Sequence, residues 1–246
     1  MSSLDRPLKR VERAKLHLDD LYGEIGRFME TNPYPTTKEP NMERGGYNHR
    51  IHVRAELPES IGLIFGDFVH NLRASLDNLV YELAFQNHRK ISFPVFSDRA
   101  EFKGRFEPLL RSSVLPESFK TIERMQPYHA TEPSDPRVRL GLLNEFWNED
   151  KHRTTVPVVL ANYIASGGAA YRGEFDVDAA PPFEAYFGDI YDGKIVGWSR
   201  EDSDVMSQPH FPIHIRFHKK PLVLAESLLD FYDFVRNEVF GVFERS

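Results

Sequence analysis

The chain has 246 residues, a formal net charge of −6 and no cysteine, which excludes disulfides, thiolate metal sites and cysteine nucleophiles. Hydrophobic residues make up 41% and charged residues 28%, so we expect one globular domain, and the acidic balance argues against general coating of nucleic acid. No stretch has the roughly 20 apolar residues of a membrane helix, and the start lacks an apolar secretory signal, so we expect a cytoplasmic protein.

Three long helices are predicted because apolar residues recur every three or four positions. The first runs from the N-terminus to about Phe28 and ends at the proline-containing turn 32–35. The second covers about 60–86 and, at about 1.5 Å per residue, spans roughly 40 Å as the central helix of the fold. The third covers 221–244 and is opened by Pro221.

Shorter elements lie between these helices. Alternating apolar and polar residues predict a strand over 47–57 with one polar face, and further helices are predicted at 98–112, capped by Ser97, at 116–125 and at 137–151. Short β-rich pieces then predict an antiparallel sheet with a turn at Asp192-Gly193, which the 47–57 strand would join. These pieces are 154–160, 174–177, 183–187, 194–198 and 211–218.

The order of elements predicts an α+β fold, in which a helical bundle around the 60–86 helix packs with an antiparallel β-sheet. We expect a single domain over 1–246, with a mainly helical part at 1–153, a β-rich part at 154–218 and the C-terminal helix at 221–244. Aromatic residues on that last helix cover more than one face, which predicts a homo-oligomer formed through it. They are Phe231, Tyr232, Phe234, Phe240 and Phe243.

Polar residues at helical spacing form two ridges. The ridge on the central helix consists of Asp67, His70 or Asn71, Ala74, Asp77 or Asn78, and Tyr81. The ridge on the helix before Arg153 consists of Asn144, Asn148 and Lys151, with Asp150 and His152 at its exit. If the two helices pack, carboxylates of the first ridge would meet Lys151, His152 and Arg153.

Three interpretations of this meeting stay open. The polar residues fix helix register by mutual hydrogen bonds, or His70, Asp77, Asp150 and His152 bind a metal. In the third, a histidine moves a proton and an arginine steadies a phosphate, as in acid–base or RNA-cleaving chemistry. Its catalytic candidates are His70, Arg73, Asp77, Asp150, His152 and Arg153, and its binding candidates are Asp67, Asn71, Asn144 and Lys151.

A cationic sheet face is a second candidate binding surface. The 47–57 strand directs Arg50, His52 and Arg54 to one side, and the 211–218 strand does the same with His214, Arg216 and His218. As neighbours at about 5 Å, the strands would form a face for RNA, a phosphate compound or an acidic partner. The alternative is a solvated face whose charge nearby Asp and Glu residues balance.

Motifs of the commonest nucleotide-binding and hydrolase sites are absent from the sequence, so we predict no cofactor. Four other motifs resemble a widespread group of uncharacterised bacterial proteins, and this resemblance implies no function. They are Arg13-Ala14-x-x-His17-Leu18, Gly66-Asp67-x-x-His70-Asn71-Leu72-Arg73-x-x-Leu76-Asp77-x-Leu79, Gln126-Pro127-Tyr128 and Asp150-Lys151-His152-Arg153.

The helical part also distantly resembles HEPN domains, four-helix modules of toxin–antitoxin and defence systems. Many of these are metal-independent ribonucleases that use an Arg and a His separated by four to six residues. Arg124 and His129 have this spacing, although Pro127 between them would interrupt a helix, and so do Arg10 and His17. The resemblance implies a function connected with RNA or bacterial defence, and the alternative is a non-enzymatic binding protein with a structural polar network.

Overall fold

A computed structural model of the chain describes residues 4–85, 91–152, 158–162, 183–186, 188–189, 191–201, 213–215, 223–224 and 227–245. The chain divides into two compact units. The helical unit comprises Met1–Tyr22, Gly62–Val156 and Glu226–Ser246, and the sheet unit comprises Gly23–Ile61 and Pro157–Ala225. Helices and antiparallel strands are both present, which confirms the predicted α+β class. The single domain over 1–246 stays a prediction.

The helices up to residue 152 follow the predicted order. They are α1 (Asp5–Glu30), α2 (Glu59–Leu83), α3 (Arg99–Arg105), α4 (Glu107–Ser113), α5 (Pro116–Arg124), a 3₁₀ turn (Pro127–His129) and α6 (Arg137–His152). The predicted 98–112 helix is divided at Phe106 into α3 and α4. Its cap is Asp98, whose carboxylate accepts from the Glu101 N–H at 2.8 Å, so the predicted Ser97 cap is wrong.

The predicted start of the C-terminal helix is also wrong. Val223–Leu224 is a strand, and the helix begins only with α7 (Leu228–Asp233), because pairing with a neighbouring strand overrides the helical pattern there. A π-helical segment (Phe234–Phe240) then leads into α8 (Gly241–Glu244).

The π-helical segment explains the width of the aromatic run. Phe234 and Val235 are buried, and so are Val239 and Phe240, which lie five residues further along the chain. Because a π-helix bonds each residue to the fifth along, these two adjacent pairs share one buried face. The run therefore needs no second partner to cover it, and the homo-oligomer through this helix stays a prediction.

The core of the helical unit surrounds α2, which has fully buried side chains on most of its circumference. The ring of Phe65 on α2 meets that of Phe146 on α6 edge to face at 5.3 Å. Phe146 in turn lies 6.0 Å from Phe231 on α7. Aromatic pairs of this kind add about 0.5–1.5 kcal/mol beyond the area they bury, so α2, α6 and α7 share one packed centre. Among the described residues, no helix is both long enough and apolar enough to cross a membrane.

The sheet unit contains two groups of antiparallel strands. The strands are β1 (Thr36–Pro40), β2 (Tyr47–Ile51), β3 (Val158–Asn162), β4 (Phe183–Ala185), β5 (Gly188–Asp189), β6 (Ile195–Ser199), β7 (Ile213–Ile215) and β8 (Val223–Leu224). One sheet has the order β1-β2-β6-β4 and the other β5-β3-β7-β8. The strand beginning at Tyr47 thus joins the later sheet through β6, as predicted, although it ends at Ile51 rather than 57. The predicted piece 174–177 lies outside the described residues.

The turn at Asp192-Gly193 is confirmed. Gly193 has φ +80°, a conformation that favours glycine, and the Asp192 carboxylate accepts from the Val53 N–H at 2.9 Å. Gly46 has φ +73°, and a Cβ there would collide with the Ser199 carbonyl oxygen. Gly46 therefore lets β2 approach β6 closely, whereas at Gly193 only the backbone conformation calls for glycine.

The strands in 47–57 and 211–218 are not neighbours, so the condition for the cationic sheet face is not met. β2 is flanked by β1 and β6, whereas β7 is flanked by β3 and β8 in the other sheet. Backbone pairing along the two sheets decides this arrangement, which the alternation of single strands does not encode.

The cations near β2 have partners within their own sheet. Arg50 donates through Nε to Glu39 Oε1 at 2.8 Å and through Nη1 to the Gly193 carbonyl oxygen. His52 Nε2 lies 2.9 Å from Thr37 Oγ1, and Arg54 is exposed. Glu39 thus balances Arg50, as the solvated-face alternative expects. The side chain of His214, and Arg216 and His218 entirely, lie outside the described residues.

Candidate functional site

The two ridge-bearing helices do meet, and their shared centre is organised around Arg73. Arg73 Nε donates to Asn144 Oδ1 at 3.3 Å, and the Arg73 Cζ atom lies 5.3 Å from the centre of the Trp147 ring. At this contact α2 supplies the cation, and α6 supplies an amide and an aromatic ring. The predicted meeting of α2 carboxylates with Lys151, His152 and Arg153 involves side chains outside the described residues and stays a prediction.

The other nitrogens of the Arg73 guanidinium are also engaged. Nη1 donates to Asp77 Oδ1 at 2.5 Å, and Nη2 donates to the Phe93 carbonyl oxygen at 2.8 Å. The same Asp77 oxygen accepts from the Phe93 N–H at 2.8 Å. Burial lowers the pKa of Arg73 and the adjacent Asp77 opposes that shift, while the side chain is only 6% exposed. Arg73 and Asp77 therefore bind the backbone of Phe93 from both its carbonyl oxygen and its N–H, an arrangement that we call the clasp around Phe93.

Gln126 performs the same task from the end of α5. Its fully buried amide donates to the carbonyl oxygens of Pro94 and Ile122, each at 3.0 Å, and its Oε1 accepts from the Phe96 N–H at 3.1 Å. Residues 91–96 have no regular secondary structure, and Phe93 and Pro94 among them are buried, so their backbone polar groups need partners. Side chains of α2 and Gln126 supply them.

Sequence reasoning did not assign Gln126 a role. The available signal was its position in the Gln126-Pro127-Tyr128 motif directly after a predicted helix. A polar residue that follows a helix next to a proline is common in turns, so only the buried 91–96 segment reveals what the amide does.

The ridge on α2 divides between two faces. Asn71 is buried, accepts from Arg10 Nη1 at 3.2 Å and donates to the Asp67 carbonyl oxygen at 2.8 Å. The side chains of Asp67 and His70 are exposed. Adjacent helical residues lie about 100° apart, which turns His70 outward while Asn71 points inward. No described residue forms a hydrogen bond or ion pair with the His70 side chain.

Only some of the candidate side chains on α6 are among the described residues. Asn144 contacts Arg73, and Asn148 is exposed. Asp150, Lys151 and His152 lie within α6, but their side chains, like Arg153 as a whole, are outside the described residues. In the described part of the chain, no group of three or more His, Asp or Glu side chains could hold a metal ion. The metal site with Asp150 and His152 stays a prediction.

A second cluster lies where α5 ends. Pro127 opens the 3₁₀ turn after Arg124, so the helix is interrupted as expected. Glu123 Oε1 accepts from the Tyr128 hydroxyl at 3.0 Å and lies 3.1 Å from Nε2 of His129, whose side chain is 30% exposed. The Tyr128 and His129 rings are 4.6 Å apart, and Arg124 is exposed. A partly exposed imidazole oriented by a carboxylate is suited to proton transfer.

The pKa of Glu123 is set by opposing effects. Burial raises it, but hydrogen bonds from His129 and Tyr128 and the charges of His129 and Arg99 hold it below the ordinary 4.5. Burial and the Glu123 carboxylate raise the pKa of Tyr128, which keeps its hydroxyl protonated and able to donate.

Replacing Tyr128 with phenylalanine is expected to raise the pKa of Glu123 toward its ordinary value, because one hydrogen-bond donor is lost. Folding favours the ionised carboxylate, so its contribution to stability is present above the ordinary pKa and is lost as the pH falls through the lower folded-state pKa. The stability difference between wild type and Tyr128→Phe should therefore shrink on acidification. Urea unfolding across this range, with the Glu123 side chain titrated by NMR, measures both effects. An equal difference at neutral and acidic pH would contradict the assignment.

A buried histidine–serine pair in the sheet unit is not a catalytic site. His49 Nε2 lies 2.8 Å from Ser199 Oγ, and both residues are buried. Burial, together with the charge of Lys38, lowers the pKa of His49 and favours its neutral form. Because a substrate cannot reach either atom, the pair links β2 to β6.

Comparison with known proteins assigns no family and no function to the chain. No protein-family model, curated protein or solved structure matches the chain.

Proposed function

We propose that the motif residues of the helical unit form a scaffold and that the chain acts as a binding protein rather than as an enzyme at these residues. The observation that carries this proposal is the guanidinium of Arg73, in which Nε, Nη1 and Nη2 each donate to an acceptor within the chain. These bonds engage three of the five N–H donors of the guanidinium, and an arginine that steadies a phosphate must present its free donors to the ligand, whereas the Arg73 side chain is only 6% exposed. Arg73 is instead committed to Asn144, Asp77 and Phe93.

The remaining inward residues support the same function. Asn71 joins α2 to α1 through Arg10, and Gln126 holds the 91–96 segment. Buried polar networks with every member satisfied rigidify a fold and specify one arrangement of its helices. The outward residues of the motif, Asp67 and His70, are the ones left to meet a partner.

Single-stranded RNA tests this proposal. Folded wild type, His70→Ala and Asp77→Asn are incubated with it below the unfolding temperature of each protein. We expect His70→Ala to leave both stability and any RNA cleavage unchanged. We expect Asp77→Asn to lower stability but to leave any RNA cleavage by the folded protein unchanged. Loss of a wild-type cleavage activity in His70→Ala, with its stability retained, would contradict the scaffold proposal.

A second candidate function is metal-independent RNA cleavage by a HEPN-like module of bacterial defence. The specific observation in its favour is the partly exposed His129 held by Glu123 beside the exposed Arg124. Here His129 removes the proton of a ribose 2′-hydroxyl, whose oxygen attacks the adjacent phosphorus and displaces the 5′-oxygen of the next nucleotide, leaving a 2′,3′-cyclic phosphate. The departing 5′-oxygen takes up a proton from the protonated His129 or from water, while Arg124 stabilises the phosphate charge. We propose the bacterial cytoplasm as the location of this function, in line with the resemblance to bacterial defence modules.

Cleavage of RNA in the presence of a chelator distinguishes this second candidate from the scaffold. His129→Ala should abolish cleavage and Glu123→Gln should weaken it, whereas the exposed control His70→Ala should behave as wild type. Cleavage that survives His129→Ala would contradict the second candidate, and cleavage that the chelator stops would favour the metal interpretation.

A further inference from the structure

α2 leaves one narrow line of residues open to solvent, although most of its circumference is buried. We name this line the α2 ridge. It consists of Leu63, Asp67, His70, Ala74, Asn78 and Tyr81, of which Ala74 and Asn78 are half-buried, and Phe85 follows two residues after the last helical residue, Leu83. Leu63, Tyr81 and Phe85 are large side chains that remain exposed, and Leu63 is 55% exposed. Steps of three or four residues place the six helical members on one face, about 27 Å long from Leu63 to Tyr81.

The α2 ridge is chemically symmetric about Ala74. At four residues on either side stand His70 and Asn78, which can share a hydrogen bond. At seven residues stand Asp67, an acceptor, and Tyr81, whose hydroxyl is a donor. At eleven residues stand Leu63 and Phe85, which are both apolar and exposed.

A surface with this pattern is complementary to a second copy of itself that is related by a two-fold axis. In a symmetric dimer the same patch faces itself, so each position must suit the position related to it by the axis. An antiparallel pair of α2 helices centred on Ala74 sets every member of the ridge opposite its complementary mate. A parallel pair would set Asp67 against Asp67, whereas the antiparallel pair separates these carboxylates by about 21 Å along the helix.

We propose that two copies of the chain form a symmetric dimer in which their α2 ridges pack antiparallel about an axis through Ala74. The small side chain of Ala74 lets the helices approach to the about 8–10 Å typical of packed helices. Leu63 and Phe85 of opposite copies cover each other at the two ends, and Tyr81 donates to Asp67 of the other copy. In this dimer the partner that the exposed Asp67 and His70 meet is a second copy of the chain, and the dimer does not depend on the RNA-cleavage candidate.

The absence of cysteine allows a direct test of the axis. Ala74→Cys places one thiol from each copy at the centre, where a disulfide requires Cα atoms within about 7 Å. The matched control is Met42→Cys, which is 91% exposed on the loop between β1 and β2 and belongs to the sheet unit rather than to the helical unit that carries the ridge. Under mild oxidation we expect Ala74→Cys to form a covalent dimer rapidly and Met42→Cys to remain largely monomeric. Equal rates of crosslinking would overturn the proposed axis.

Light scattering tests the interface without a crosslink. Wild type at micromolar concentration should have twice the 28.5 kDa mass of one chain. Leu63→Lys should restore the single-chain mass, whereas Met42→Lys, at a site 91% exposed, should remain dimeric. Circular dichroism checks that both variants are folded. A monomeric wild type, or a dimer that persists in Leu63→Lys, would overturn the proposal, and a dimer lost only in Leu229→Lys would place the interface on the C-terminal helix.

Discussion

Replacing Arg73 with alanine is expected to lower the free energy of unfolding by about 3–5 kcal/mol. Three contacts of a buried cation are lost at once: the ion pair with Asp77, the bond to the Phe93 carbonyl oxygen and the bond to Asn144. The loss exceeds that of an ordinary hydrogen bond because the abandoned acceptors stay in a partly dry environment. The 91–96 segment also loses part of its attachment to α2.

Urea unfolding of Arg73→Ala measures this loss. The control is Arg13→Ala, an exposed position on α1, which should change stability by less than about 0.5 kcal/mol. Arg73→Lys should fall between the two, since a lysine keeps the charge but cannot span three acceptors with one ammonium. Equal losses for Arg73→Ala and Arg13→Ala would contradict the clasp described around Phe93.

Replacing Gln126 with methionine is expected to cost about 3 kcal/mol, since three buried backbone groups lose a partner at about 1–3 kcal/mol each and such losses are not fully additive. Those groups are the carbonyl oxygens of Pro94 and Ile122 and the N–H of Phe96. The methionine side chain has nearly the length of glutamine, so most of the loss comes from hydrogen bonding rather than from packing.

Gln126→Glu separates hydrogen bonding from shape. The introduced carboxylate still accepts from the Phe96 N–H, but it faces the carbonyl oxygens of Pro94 and Ile122 without a proton to donate. Its folded-state pKa is therefore raised, and the stability of this variant is highest below the ordinary glutamate pKa and falls as the pH rises through the folded value. Thermal unfolding at several pH values should show that the stability difference between Gln126→Glu and wild type shrinks on acidification. The difference between Gln126→Met and wild type should stay the same. Parallel pH profiles of the two variants would contradict the role assigned to the amide.

Local patterns predicted the long helices and their contact correctly. Apolar spacing located α1, α2, α5 and α6, and paired polar ridges indicated that α2 meets α6. Such patterns succeed because an amphipathic helix must bury its apolar face whatever packs against it. They failed at Val223–Leu224, where hydrogen bonds to β7 outweigh a helical pattern that continues into α7.

The orientation of individual polar residues was beyond the reach of those patterns. A ridge drawn through either His70 or Asn71 satisfies helical spacing equally well, yet only Asn71 turns inward to meet Arg10. The 91–96 segment decides the roles of Arg73, Asp77 and Gln126, since its backbone lacks regular hydrogen bonds and must be satisfied by side chains.

The sequence by itself determined the α+β class, the long central helix and the absence of thiol chemistry, because composition and residue periodicity act over short distances along the chain. Only the tertiary structure decided which strands are neighbours and which polar side chains are committed to the core. Strand pairing and the burial of polar side chains depend on segments that are far apart in sequence. For example, α2 and the end of α5 act together only because both bind the backbone of the buried 91–96 segment.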